Sequence, residues 1–281
     1  MLYRGALPAM GTRFEIVAGG DDPILIQAAV EEALEEVSIG HHLWNAFSRQ
    51  SLLSRIHEAG ATRAVPVDAI TLELLCHCVR LHQQTGGHFD PAIGTDLPRD
   101  ASCRGMEAVE IDRGAATVRL LDPRCRIDLG GIAKGYACDL AAEVLRDAGI
   151  ECALIHGGTS SVVAIGAPPG REDWAIEIVG GSGRHVFLRD ESLAVSAPSG
   201  GGGDGHIVDP VDGHRVPAEG PGVMVRGPCA TDCDAWATAL TVAGFQSGIE
   251  QNLPDRYEAS PVEATDDARL LSLVSKQHSS R

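Results

Sequence analysis

The sequence predicts an α+β protein. Helical periodicity dominates the chain up to Gly86, short strand-like segments separated by turns fill the middle, and two further helices lie within and after those strands.

Residues 12–17 (TRFEIV) alternate apolar and polar side chains, as a half-buried strand does. Asp21-Asp22-Pro23 then opens a helix, with aspartate as cap and proline early, and residues 24–37 keep apolar side chains at helical spacing. A short helix over 51–58 closes near Gly60. Asp68 caps another that turns Ile70, Leu74, Leu75, Cys78, Val79 and Leu81 inward before Gly86-Gly87. Strands are predicted over 115–121, 124–129, 152–156, 161–165, 174–179, 185–189 and 193–196. Among them sits a helix over 133–148 with an apolar stripe of Tyr136, Ala137, Leu140, Ala141, Val144, Leu145 and Ala148, ended by Gly149. The last clear helix runs from about Asp232 to Val242 and stops at Gly244. Residues 1–250 are expected to form one domain, and 251–281, mixing Pro, Ser and charge, a C-terminal extension whose last ~10 residues fray.

With 281 residues the chain can bury a real core, and since aromatics make up only 4%, aliphatic residues and alanine must fill it. A net charge of −16 argues against a general nucleic-acid or anionic-membrane binder. Any phosphate ligand must therefore be held locally, by amides, a metal or a few bases. No stretch approaches the ~20 apolar residues of a membrane span, and the first residues lack the pattern of a signal peptide, so a cytoplasmic location is expected. The eight cysteines form no C-x-x-C pair and are expected to be reduced thiols.

Several stretches could carry chemistry. In IDLGGIAKGY (127–136) an aspartate ends a predicted strand, two glycines let backbone approach a ligand, and a helix begins with free N–H groups. Lys134 stands in that first turn, where a cation is unfavourable against the helix dipole and a bound anion would explain it. A plain βα turn with a solvent-facing lysine fits the same pattern. In CATDCDAWATAL (229–240), Asp234 and Thr238 share a helix face and form a hard-oxygen pair suited to Mg²⁺; a first-turn aspartate and a threonine bonded to its own helix fit as well. TGGHFDPAIG (85–94) is a helix stop followed by an Asx-type turn. HIVDPVDG (206–213) is a strand entering a turn. The literal G-x-G-x-x-G at Gly200, Gly202 and Gly205 lacks the following helix that a dinucleotide site needs, and reads as a mobile loop.

Taken in order, these stretches resemble one family. Met10-Gly11-Thr12, Phe47 with Ser51-x-x-Ser54-Arg55-Ile56, TGGHFDPAIG, IDLGGIAKGYACDLAAEVLRDAG, His156-Gly157-Gly158, HIVDPVDG and CATDCDAWATALTVAG together look like the ApbE family, the FAD:protein FMN transferases. The resemblance implies an ApbE-like, T-fold-related architecture with mainly antiparallel strands and packed helices. It implies transfer of the FMN half of FAD to a Thr or Ser hydroxyl of an acceptor flavoprotein, with AMP leaving and Mg²⁺ required. By motif position, Asp234, Thr238 and the carbonyl of Gly131 would hold the metal. Asp128 and Lys134 would contact the FAD, and Met10, Phe47, His88, Phe89 and Asp90 would line its site, with His206 near the flavin. Asp234 and His206 are the candidates for the catalytic base.

The sequence also departs from the family pattern. Val195-Ser196-Ala197-Pro198 stands where T-S-G is usual, His57 where asparagine is usual, and Phe47 where tyrosine is common. An FAD pyrophosphatase giving FMN and AMP, or a protein that only binds FAD, would keep the same metal and FAD motifs.

Overall fold

Local capping sets the helices of the N-terminal half. In the computed structural model, which describes residues 1–92, 105–179, 184–198, 207–210, 213–262 and 269–272, helix α1 (Pro23–Trp44) starts where the Asp22 carboxylate accepts the amides of Ile24 and Leu25. Ser51 caps α2 (Leu52–Ala59) through the Ser54 amide, and Asp68 caps α3 (Ala69–Gln84) through the Thr71 amide. Helix α1 runs on past residue 37 because its last turns stay apolar inside: Val37, Gly40 and Trp44 are buried, and a Cβ on Gly40 would lie 2.4 Å from the Trp44 ring. Two more helices follow, α4 (Ala133–Asp147) and α5 (Ala230–Ala243).

The strands are β1 (Leu2–Ala9), β2 (Thr12–Gly19), β3 (Val65–Pro66), β4 (Val109–Asp112), β5 (Thr117–Leu120), β6 (Cys152–Gly157), β7 (Ser161–Ile165), β8 (Trp174–Val179), β9 (His185–Leu188), β10 (Ser192–Ser196), β11 (Gly222–Gly227), β12 (Glu258–Val262) and β13 (Arg269–Ser272). Seven form one sheet in the order β1-β2-β6-β7-β10-β11-β12, with every neighbouring pair antiparallel. Two small sheets, β13-β8-β9 and β3-β5-β4, complete the set. The fold is therefore α+β and mainly antiparallel, as expected.

Both faces of the large sheet are covered. Phe14, Ile16, Ile155, Val163, Ala194 and Val225 face a core shared with α1, α4 and α5. Their neighbours Val17, Leu154, Val162, Leu193 and Met224 face a second core with Trp174, Ile176, Ile178 and Leu188 of the β8-β9 sheet. A sheet buried on both sides needs no polar alternation, which is why β6 and β7 read as near-continuous apolar runs. The shared helical core brings α4 against α5, and that contact positions the candidate site.

Several features differ from the sequence-based expectation, among them strands β1, β4 and β11, which form where none was expected. Residues 124–129 form no named strand. Their amides are taken elsewhere: Ile127 donates to the His57 ring at 2.9 Å and Asp128 to the Pro91 carbonyl at 2.6 Å. Segment 251–281 contributes β12 to the large sheet and β13 to the β8 sheet, so it completes the fold as well as extending the chain. Helix α5 starts at Ala230, ahead of Asp232, because its cap comes from a distant residue described below. The glycine loop around 200–205, His206 and the last nine residues lie outside the described residues.

Candidate functional site

The site is built where the N-terminus of α4 meets α5. No side chain within the Cys229 turn caps α5. Asp139, from α4, supplies the cap: its carboxylate accepts the amides of Ala230 (3.0 Å) and Thr231 (2.8 Å), the Thr231 hydroxyl (2.6 Å) and the Cys229 thiol (3.2 Å). Burial pushes the Asp139 carboxyl above the usual carboxylate range, and these four donors oppose that shift. Gly135 allows the close approach, since a Cβ there would sit 2.3 Å from the Ala230 carbonyl oxygen. The Gly135 amide then donates to Asp234 Oδ2 at 3.0 Å, pinning one oxygen of a buried carboxylate to the α4 backbone.

Around Asp234 the other expected residues gather. Thr238 Oγ1 donates to the Asp234 carbonyl at 3.0 Å, one helical turn back, which leaves the hydroxyl oxygen's lone pairs available. Gly131 borders the same hydroxyl: a Cβ on it would lie 3.1 Å from Thr238 Oγ1 and 3.5 Å from the Phe89 ring. Lys134 is neither solvent-facing nor waiting for a ligand alone. Its ammonium donates to the Gly130 carbonyl at 2.8 Å and stands 4.0 Å from Asp234 Oδ2. The unfavourable position at a helix start is thus offset from within the protein. Asp128 is exposed and folds back to accept the Gly130 amide at 2.8 Å, shaping the glycine turn.

A magnesium ion fits these donors. Among the described residues no three His, Cys, Asp or Glu side chains cluster as a metal site. The donors at the α4–α5 junction are instead one carboxylate, one hydroxyl and, across a gap that a Cβ would fill, the backbone of Gly131. Such a hard-oxygen set with few protein ligands suits Mg²⁺, which keeps several waters and binds substrate phosphates. Nearby Cys138 and Cys233 are buried, and their thiols are pushed well up, so they pack as neutral groups. Cys76, Cys78, Cys138, Cys152, Cys229 and Cys233 form no disulfide among the described residues.

The 85–92 turn packs beside Gly131 through Phe89. Asp90 is buried, and its Oδ1 accepts the amides of Ala92 (2.9 Å) and Met106 (3.1 Å), so it ties this turn to the segment that follows residue 104. Gly105 makes room for that carboxylate with φ +56°. His82 braces the turn through the Phe89 carbonyl. His88 is half-buried, with Nδ1 buried and lacking a hydrogen-bond partner. Met10 holds a left-handed conformation, φ 50°, and its amide donates to His41 Nδ1 at 3.1 Å. Phe47 is fully exposed between α1 and α2.

Sequence reasoning missed three contributors. Asp139 and Gly135 act across 91 and 99 positions of chain, a pairing no local pattern reveals. His57 was seen only as a departure from the family pattern.

Comparison with known proteins adds the following. The sequence model of the ApbE family matches residues 10–257. The FAD:protein FMN transferase of Treponema pallidum is 26% identical over 79% of this chain and 73% of its own. That of Rhodobacter capsulatus is 30% identical over 73% of this chain and 44% of its own. Among solved structures, a variant of the flavin transferase ApbE from Vibrio cholerae superposes with a TM-score of 0.77 at 22% identity, covering 97% of each chain. An ApbE protein from Thermotoga maritima gives 0.77 at 22% identity over 98% of each. Both show that the fold is shared.

Proposed function

The chain belongs to the ApbE family, and from that premise we propose that it transfers FMN from FAD to a Thr or Ser hydroxyl of an acceptor protein, releasing AMP. The observation that carries the reading is the meeting of Asp234, Thr238, Gly131 and Lys134 at the α4–α5 junction.

When bound there, Mg²⁺ supplies charge neutralisation at the FAD pyrophosphate. Asp234 would hold it through its carboxylate, Thr238 through its hydroxyl oxygen and Gly131 through its carbonyl. Lys134 places a positive charge beside the phosphates. Asp128 keeps the glycine turn in the shape that lets the cofactor approach. Phe89 and His88 border the pocket, with Met10 and the exposed Phe47 completing its flavin side. The acceptor oxygen attacks the FMN phosphorus. Its bond to phosphorus forms, the bond from that phosphorus to the bridging oxygen breaks, and AMP leaves with the bridging oxygen. The hydroxyl proton passes to a base. His206 and Asp234 are the candidates for that base, and the Asp234 carboxylate already accepts the Gly135 amide.

The test follows the FMN. Purified protein is incubated with FAD and Mg²⁺, with and without a candidate acceptor. AMP together with a fluorescent acceptor band supports transfer. AMP with free FMN, whether or not acceptor is present, replaces transfer with hydrolysis. Intact FAD and no AMP refutes catalysis.

A further inference from the structure

The glycine turn that carries Asp128 and Gly131 is anchored from outside by a histidine. Residues 127–129 lie in no strand ladder, so each backbone donor needs an individual partner. Asp128 finds the Pro91 carbonyl. Ile127 finds Nε2 of His57, at 2.9 Å, on the last turn of α2. A ring nitrogen accepts a hydrogen bond only when it carries no proton, so this contact needs neutral His57 with its proton on Nδ1. A protonated ring would turn the acceptor into a second donor facing the Ile127 amide.

We propose that His57 is a positioning residue that makes the Asp128–Gly131 turn responsive to pH: neutral, it anchors the turn, and protonated, it releases it. The consequence for catalysis rests on the flavin-transfer reading above; the anchor itself does not. The surroundings favour the neutral form. Burial lowers the ring's pKa below its ordinary 6.5, Arg126 lowers it further, and the Ile127 contact and Asp128 pull the other way. Arg126 and Asp128 are the charged groups acting on the ring. On α2 itself stand Arg55 and Glu58; β3 carries no charge, and Arg119 of β5 lies exposed between two buried neighbours. On α1, His41 is engaged with the Met10 amide and His42 with the Ser38 carbonyl. The release therefore belongs to the acid side of pH 6.5.

Two readouts test this. Hydrogen exchange at the Ile127 amide, without FAD and corrected for intrinsic rates, is followed from pH 7.5 to 5 in the wild type and in His57→Gln. The glutamine oxygen reaches about as far as Nε2 and cannot titrate. Protection should fall with acid in the wild type, by up to about tenfold per pH unit between pH 6.5 and the anchored ring's lowered pKa, and stay flat in His57→Gln. Equal behaviour of the two proteins overturns the proposal. AMP release is then profiled over the same range. Its acid limb should flatten in His57→Gln, while His57→Phe should be weakened at every pH. An unchanged acid limb in His57→Gln counts against the catalytic consequence. A protein that shows the exchange difference but never releases AMP keeps the anchor and refutes the flavin reading.

Discussion

Replacing Asp139 with alanine should loosen α5 and the carboxylate it carries. The substitution strips the α5 amides at Ala230 and Thr231 of their cap, which costs about 1–2 kcal/mol by the usual worth of an N-cap. Loss of the charged acceptor for the Thr231 hydroxyl adds roughly 1.5 kcal/mol. Alanine regains about 0.5 kcal/mol of helix propensity within α4, and the burial that raises the Asp139 pKa is relieved. The balance is a destabilisation of about 2–3 kcal/mol, which at ~2–4 °C per kcal/mol lowers the melting temperature by roughly 5–10 °C. Asp139→Asn keeps one oxygen acceptor but turns an NH₂ towards donors, so its loss should be about half as large. Scanning calorimetry of the FAD-free protein checks both. An Asp139→Ala melting temperature within about 2 °C of wild type refutes the claim that Asp139 is the effective cap of α5.

Two further outcomes follow from the structure. Gly131→Ala places a Cβ 3.1 Å from Thr238 Oγ1 and should raise the Mg²⁺ concentration needed for AMP release, read by metal titration, with little change in urea midpoint. His156 is buried, and burial together with Arg4 pushes its pKa down to about 4, so the folded state resists a proton that the unfolded chain accepts. Its stabilising effect is complete above pH 6.5 and is lost as pH falls towards 4, by roughly 3 kcal/mol. Denaturation against pH should show that slope in the wild type and a shallower one in His156→Leu.

Where structure follows from neighbours in sequence, the sequence was readable. Asp22, Ser51 and Asp68 each sit just ahead of the helix they cap, and those starts were read correctly. The start of α5 was not, because its cap comes from α4. Strand β12 was missed because Pro261 and Ser260 read as loop, although an edge strand tolerates proline. Residues 124–129 have the alternation of a strand but give their amides to His57 and Pro91. At the site, the i, i+4 pair Asp234 and Thr238 was visible as a possible metal pair. The Gly135 amide that orients Asp234, and the carbonyl and carboxylate that surround Lys134, depend on how α4 packs on α5, and no local spacing encodes that.

The α4–α5 junction is tested most directly by AMP release from FAD as Mg²⁺ is titrated, in the wild type, Asp234→Asn and Thr238→Val. Asparagine keeps an oxygen for the Gly135 amide and removes only the charge; valine removes only the hydroxyl. The expected result is a saturable Mg²⁺ requirement whose half-saturation point rises at least about tenfold in each variant, with folding retained. AMP release that persists at the wild-type rate in EDTA, or Mg²⁺ curves identical in all three proteins, would contradict the assignment.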